Sequence, residues 1–146
     1  TIDSCFALPK MPHIQAMTIP LWGLVVFIGW TIAIVCLLLT VRIRHLAAGG
    51  AAQDFGTPQN EKNLFWRLYR VQSNLVENLP LYLGAVFLLT VRGISGTAID
   101  VLVIAYILFR LIHSAIHIAG LNPMFRVICL AIQFGCLIAL TTLAII

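Results

Sequence analysis

Charge is scarce in this chain. Its 146 residues include nine Lys or Arg and five Asp or Glu, 10% in all, against 61% hydrophobic residues and a mean hydropathy of +1.03. A soluble domain carries about a quarter charged residues and under half apolar ones. There is too little charge here to coat a water-facing surface, so the chain reads as an integral membrane protein. The half-length, alternating segments of a membrane barrel are also missing. No pair among Cys5, Cys36, Cys129 and Cys136 has C-x-x-C spacing, and three of the four lie in apolar runs. They read as small hydrophobes in helix packing, not as metal or redox groups. A glycine-rich phosphate loop and a serine-nucleophile signature are both absent. Acid is the scarcest charge, leaving a net +4. The basic residues stand at helix ends and inside helices, not on one soluble face, which argues against nucleic acid. Anionic lipid headgroups or an anionic ligand fit better.

What is present is apolar length. A bilayer-crossing helix needs roughly 20 mostly apolar residues. Four stretches qualify: Leu21 to Thr40, about Phe65 to Thr90, Ala98 to Ala119, and Pro123 to Ile146. The expected fold is an all-α membrane protein, a four-transmembrane-helix up-down bundle occupying residues 21–146. Residues 1–20 are set aside as an N-terminal tail, partly a cloning remnant, because Met17 in "MTIPLWGL" makes a natural start. The first connection, "AAGGAAQDFGTPQN", is expected to be flexible and exposed. The second, "VRGISG", and third, "GLNP", are short, which makes successive helices antiparallel neighbours. In the third, Gly120 suits a helix end, Asn122 a cap and Pro123 a first turn. Arg42, Arg44, Lys62 and Arg67 flank the first connection and Arg126 the third. The positive-inside rule then places these connections in the cytoplasm and both termini outside.

Polar residues intrude on the apolar pattern in one zone. Arg70, Asn74 and Glu77 stand at i, i+4 and i+7 and share a helix face. Pro80 follows, where a missing backbone donor is expected to kink the helix. Arg110, His113 and His117 form a second such face, and their helix runs toward the same side of the membrane. Arg126 opens the fourth span and Arg42 closes the first at that level. Charged residues in a bilayer usually face the bundle interior or a cavity. A structural network in which Glu77 pairs with Arg110 would use only two of these groups. Several arginines and two histidines against one carboxylate favour a bound anion instead. His113 and His117 lack a third ligand beyond Glu77, so no metal is expected.

The string Arg67-x-Tyr69-Arg70-x-Gln72-x-Asn74-x-x-Glu77-x-x-Pro80 resembles the signature of the MAPEG family, membrane-associated proteins of eicosanoid and glutathione metabolism. Arg110-x-x-His113-Ser114-x-x-His117, followed by Pro123-x-x-Arg126, resembles the segment joining the third and fourth helices in that family's prostaglandin synthase branch. The resemblance implies a homotrimer with glutathione bound between neighbouring subunits near the cytoplasmic face. Arg70, Gln72, Asn74 and Glu77 would hold the peptide, with Glu77 facing its amino group. Arg42, Arg110, His113 and His117 would complete the binding set, and Arg126 would sit by the sulfur as the catalytic residue. Three positions depart from the family's eicosanoid branches: His117 where many relatives have tyrosine, Val127 in place of serine, and Asn78 in place of tyrosine. The expectation is therefore a glutathione transferase for lipophilic electrophiles, with lipid hydroperoxide peroxidase activity alongside, in a bacterial inner membrane or an endoplasmic reticulum type membrane. The alternative is a non-catalytic relative that binds a lipid or partner through the same pocket.

Overall fold

The computed structural model describes residues 17–56 and 62–146. The first sixteen residues of the expected tail, with Cys5 among them, and residues 57–61 of the first connection lie outside the described residues. Four helices follow in order: α1 Ile19–Ala47, α2 Leu64–Val91, α3 Thr97–Ala119 and α4 Pro123–Ile145, each long and apolar enough to cross a membrane. The bundle expected from the sequence is observed.

Helix ends follow local chemistry. Asn63 and Asn122 cap α2 and α4, their side-chain oxygens accepting from Phe65 N and Met124 N at 2.9 Å. Pro123 fills the first position of α4, where a missing donor does no harm. At the end of α3, Gly120 takes φ +68°. That left-handed turn lets Gly120 N and Leu121 N return to His117 O and Ile116 O, both at 3.1 Å, which satisfies carbonyls a helix end would otherwise leave open.

Two expectations need correction. α1 does not stop at Thr40 but continues through "VRIRHLA" to Ala47. Its basic residues sit on a helix long enough to leave the hydrocarbon, where Arg and Lys are favoured. The first connection is also partly ordered. Ala52–Gly56 forms a 3-10 turn, because Asp54 is tied back to His45 at the end of α1 at 2.7 Å. α2 runs unbroken through Pro80.

α2 and α3 form an inner pair on which α1 and α4 pack from either side. The buried positions of α1 (Gly23, Phe27, Thr31, Ile34, Leu38) and of α2 (Leu68, Val71, Leu75, Asn78, Tyr82) step by three or four residues, the period of a single helix stripe. Most remaining large apolar side chains point outward, as lipid allows. Tyr82 and Tyr106 stack at 4.8 Å with Phe27 tilted against both. The Tyr82 hydroxyl donates to Pro20 O at 3.1 Å, and only a glycine at position 23 leaves room for it.

Arg67 packs directly on Gly120, where a Cβ would collide with its guanidinium. Gly120→Ala therefore meets a positive φ and also makes the Arg67 guanidinium swing aside, and should destabilise the protein by about 1 kcal/mol or more. Gly84→Ala, on an open helix surface, should leave stability unchanged or raised. Thermal unfolding in the same detergent would check the pair; equal midpoints would disprove this account of the α3 terminus.

Candidate functional site

At the centre of the polar zone is a buried cation. Arg110, 1% exposed, donates from Nη1 to Asn74 Oδ1 and to Gln133 Oε1, both at 2.7 Å, and from Nη2 to Asn74 O at 2.8 Å. Its guanidinium carbon also lies 5.3 Å from the centre of the Phe27 ring. One side chain of α3 thus touches α2, α4 and α1. Gln133 returns its amide to Phe109 O at 3.1 Å and reaches His113 Nδ1 at 3.5 Å. Asn78 donates to Asn74 O at 2.9 Å. A charge at the bilayer centre costs at least ~2.5–3.5 kcal/mol on insertion scales. Each hydrogen bond to a charged group returns about 1.5–3 kcal/mol, so three good acceptors make this burial tenable.

Arg110 does not pair with Glu77, the partner a purely structural network would use. Glu77 is exposed on the outer side of α2, where its carboxylate accepts from Ser73 Oγ at 3.1 Å. Arg70 is exposed on the same side, stacked over Trp66 at 5.8 Å. Asn74 sits on the border between this face and the buried one, half-exposed and held by Arg110. Gln72 is half-buried. The face shared by Arg70, Asn74 and Glu77 is therefore real, and it looks outward from a single subunit.

The second predicted face is also present. His113 is buried, and its ring lies 5.1 Å from that of His117. His117 Nδ1 lies 3.1 Å from Arg126 Nη1 across the turn from α3 to α4. Arg126 is half-buried, while Met124, Phe125, Val127 and Ile128 around it are all exposed. Arg42 stands apart, its guanidinium 5.4 Å from the centre of the Phe55 ring. The structure thus joins Arg110 with Asn74 and His113, and His117 with Arg126. Glu77, Arg70 and Arg42 lie at the periphery.

A polar cavity of about 480 Å³ opens beside this periphery, lined by Asp54, Phe55, Asn63, Phe65, Trp66, Tyr69 and Arg70. Its wall from the first connection is pinned from α1. The His45 ring bonds Asp54, stands edge-on to Phe65 at 5.2 Å and packs on Phe55 at 5.7 Å. The His45 hydrogen bond, with a smaller contribution from Ala51 N, holds the Asp54 carboxyl below its ordinary 3.8.

Sequence reasoning missed Gln133 and the His45–Asp54 pair. A lone glutamine deep in an apolar span was itself a signal, because an amide in lipid needs partners. Nothing in local periodicity marks Asp54, whose partner is nine residues away on another element.

A model of the MAPEG family matches residues 20–146 of this chain. Comparison with curated proteins and with solved structures returned no significant match.

Two outcomes follow from this geometry. Gln133→Leu leaves Arg110 one acceptor short and should destabilise the fold by roughly 1.5–3 kcal/mol. Adding Arg110→Met should then cost less than the two single changes summed, since the unpaired cation is gone. Strict additivity in chemical unfolding would refute the clamp. For Asp54, a depressed folded pKa means its contribution is present above 3.8 and is lost as pH falls through the lower folded value. A carbon-13 titration of its carboxyl should show a midpoint below 3.8 that rises in His45→Ala; an unmoved midpoint would assign the shift elsewhere.

Proposed function

Because the chain belongs to the MAPEG family, we propose that it is a membrane-embedded glutathione transferase acting on lipophilic electrophiles, with its site toward the cytoplasmic side. The observation that carries this reading is the charge balance of the polar zone. Arg70, Arg110 and Arg126, with His113 and His117, stand against the single carboxylate of Glu77. Glutathione has the complementary set: two carboxylates, one ammonium and an ionisable thiol. Arginines suit its carboxylates, and Glu77 suits its ammonium.

The outward position of Glu77 supports assembly with further copies of the chain, and family membership makes that assembly a homotrimer. It lies thirteen residues into α2, about 20 Å along the axis, well within a span of about 30 Å. A carboxylate facing lipid at that depth is costly, and a second copy of the chain covering this face, with ligand between, removes the cost. Arg70, Gln72, Asn74 and Glu77 then hold the peptide, and Arg110 serves by fixing Asn74. Arg42 and His113 add contacts from the rim and the interior. A bacterial inner membrane or an endoplasmic reticulum type membrane suits the positive-inside pattern.

Arg126 stabilises the thiolate, as a nearby cation lowers a thiol pKa. The thiol proton passes to water, sulfur attacks the electrophilic carbon, a C–S bond forms and the leaving group departs with its electron pair. With a lipid hydroperoxide, two glutathiones become the disulfide while the hydroperoxide becomes an alcohol and water. The exposed apolar side chains of Met124, Phe125, Val127 and Ile128 suit a substrate entering laterally from the bilayer, which brings it beside an oriented nucleophile.

The test is made on purified protein with glutathione. Wild type should raise the ultraviolet absorbance of the thiolate band on mixing. Glu77→Gln should weaken glutathione binding by about tenfold or more, as loss of a charged hydrogen bond predicts. Arg126→Leu should still bind but conjugate slowly near neutral pH, where an unassisted thiol is mostly protonated, and recover part of its rate toward pH 9. Saturable binding without thiolate formation would instead support a non-catalytic lipid- or partner-binding protein.

A further inference from the structure

We propose that His117 is a positioning residue for Arg126, acting as a neutral imidazole whose Nδ1 lone pair accepts the guanidinium. The proposal rests on the thiolate role given to Arg126 above, though its structural half does not. A guanidinium has only donors and stays charged at any physiological pH. The 3.1 Å approach of Arg126 Nη1 to His117 Nδ1 can therefore be a hydrogen bond in one protonation state only. Nδ1 must be bare, and the imidazole proton must sit on Nε2. A protonated His117 would present N–H to N–H and add a second cation to the pair.

The backbone makes this contact durable. His117 is in the last turn of α3 and Arg126 in the first turn of α4. The residues between them are clamped by Gly120 N to His117 O at 3.1 Å and by Asn122 Oδ1, which accepts from Met124 N at 2.9 Å. The backbone positions of the two residues are thereby held close, so that only side-chain rotation can part them.

The bond answers a physical difficulty. Arg126 lies at a helix N-terminus, where the dipole disfavours a cation. An arginine near a membrane surface also tends to snorkel toward lipid phosphates. A lone pair on His117 offers a competing acceptor that keeps the guanidinium over the polar zone. A tyrosine at 117 would offer a phenol at a different reach, so Arg126 in this chain depends on an acceptor specific to it. The Asn74–Arg110–Gln133 clamp fixes α3 relative to α4 and so sets the base from which His117 projects.

Three measurements decide the matter. In ligand-free protein, nitrogen-15 shifts of His117 near neutral pH should show a neutral ring with the proton on Nε2; an imidazolium, or a proton on Nδ1, overturns the proposal whatever the activity. Turnover with glutathione and a chlorodinitroarene comes second. His117→Phe, which keeps a ring and loses the acceptor, should lower kcat and the thiolate signal by about tenfold or more. His117→Gln, whose amide oxygen can accept, should recover most of that loss. Wild-type kcat in His117→Phe, or a change confined to KM, overturns the positioning role. Third, adding His117→Phe to Arg126→Leu should slow turnover no further; an undiminished effect there means His117 does not act through Arg126. A wild-type protein that forms no thiolate removes the transferase reading, and the nitrogen-15 result then judges the His117–Arg126 contact alone.

Discussion

The arrangement of this protein depends on burying one guanidinium that has no counterion within bonding distance. Arg110 is enclosed by α1, α2 and α4 and donates to Asn74 and Gln133. In hydrocarbon such a group has no water to fall back on, so each acceptor must be present and correctly placed. That requirement links the helices along their axes as well as around them. Sliding α4 by one turn would carry Gln133 about 5.4 Å from its partner and leave a buried cation short of an acceptor. Apolar packing alone does not impose this, since lipid tails are as apolar as the side chains and supply no hydrophobic drive between helices. The aromatic group of Phe27, Tyr82 and Tyr106, which abuts Arg110 through Phe27, supplies shape; Arg110 supplies register.

Satisfying Arg110 with neutral amides has a consequence for Glu77. Had the carboxylate turned inward, the pair would have neutralised itself and left nothing for a ligand. Because Asn74 and Gln133 do that work, Glu77 stays on the outer face with Ser73. Both terminal nitrogens of Arg110 are satisfied inside, while the periphery keeps an acid and several cations. This division explains how a chain so poor in charge can keep reactive groups in a membrane without collapsing them into salt bridges.

Most of the fold was legible in the sequence, and the site only in part. Four apolar runs, Asn122 before Pro123, and Gly120 after a periodic stretch each carry a local physical meaning, and each is realised. Helical spacing also grouped Arg70 with Asn74 and Glu77, and Arg110 with His113 and His117, correctly. It could not say which way a face would point. Asn74 lies on the border between inward and outward positions of α2, and that is decided by α3, not by α2. Helical spacing did not name the partner of Arg110 either; the Glu77 pair was the structural alternative, and it is not the one formed. Gln133 wins because a neutral amide is far cheaper to bury than a carboxylate. The end of α1 was read too short because "VRIRHL" departs from apolar composition, though not from helical geometry.

These features together explain why a histidine suits position 117. The adjoining ends of α3 and α4 meet in a tight turn that brings position 117 beside position 126. With arginine at 126, a second cation there would repel it and an aliphatic side chain would release it to the lipid surface. A carboxylate would bind it so strongly that an incoming thiolate would have to displace a charged partner. A neutral nitrogen lone pair lies between these extremes. It orients the guanidinium without itself bringing a charge to the contact. His113, buried one turn away and 5.1 Å from His117, faces the Gln133 amide at 3.5 Å, the group that in turn accepts from Arg110. The polar zone is built from neutral acceptors holding cations in place, with its one acid kept to the outside.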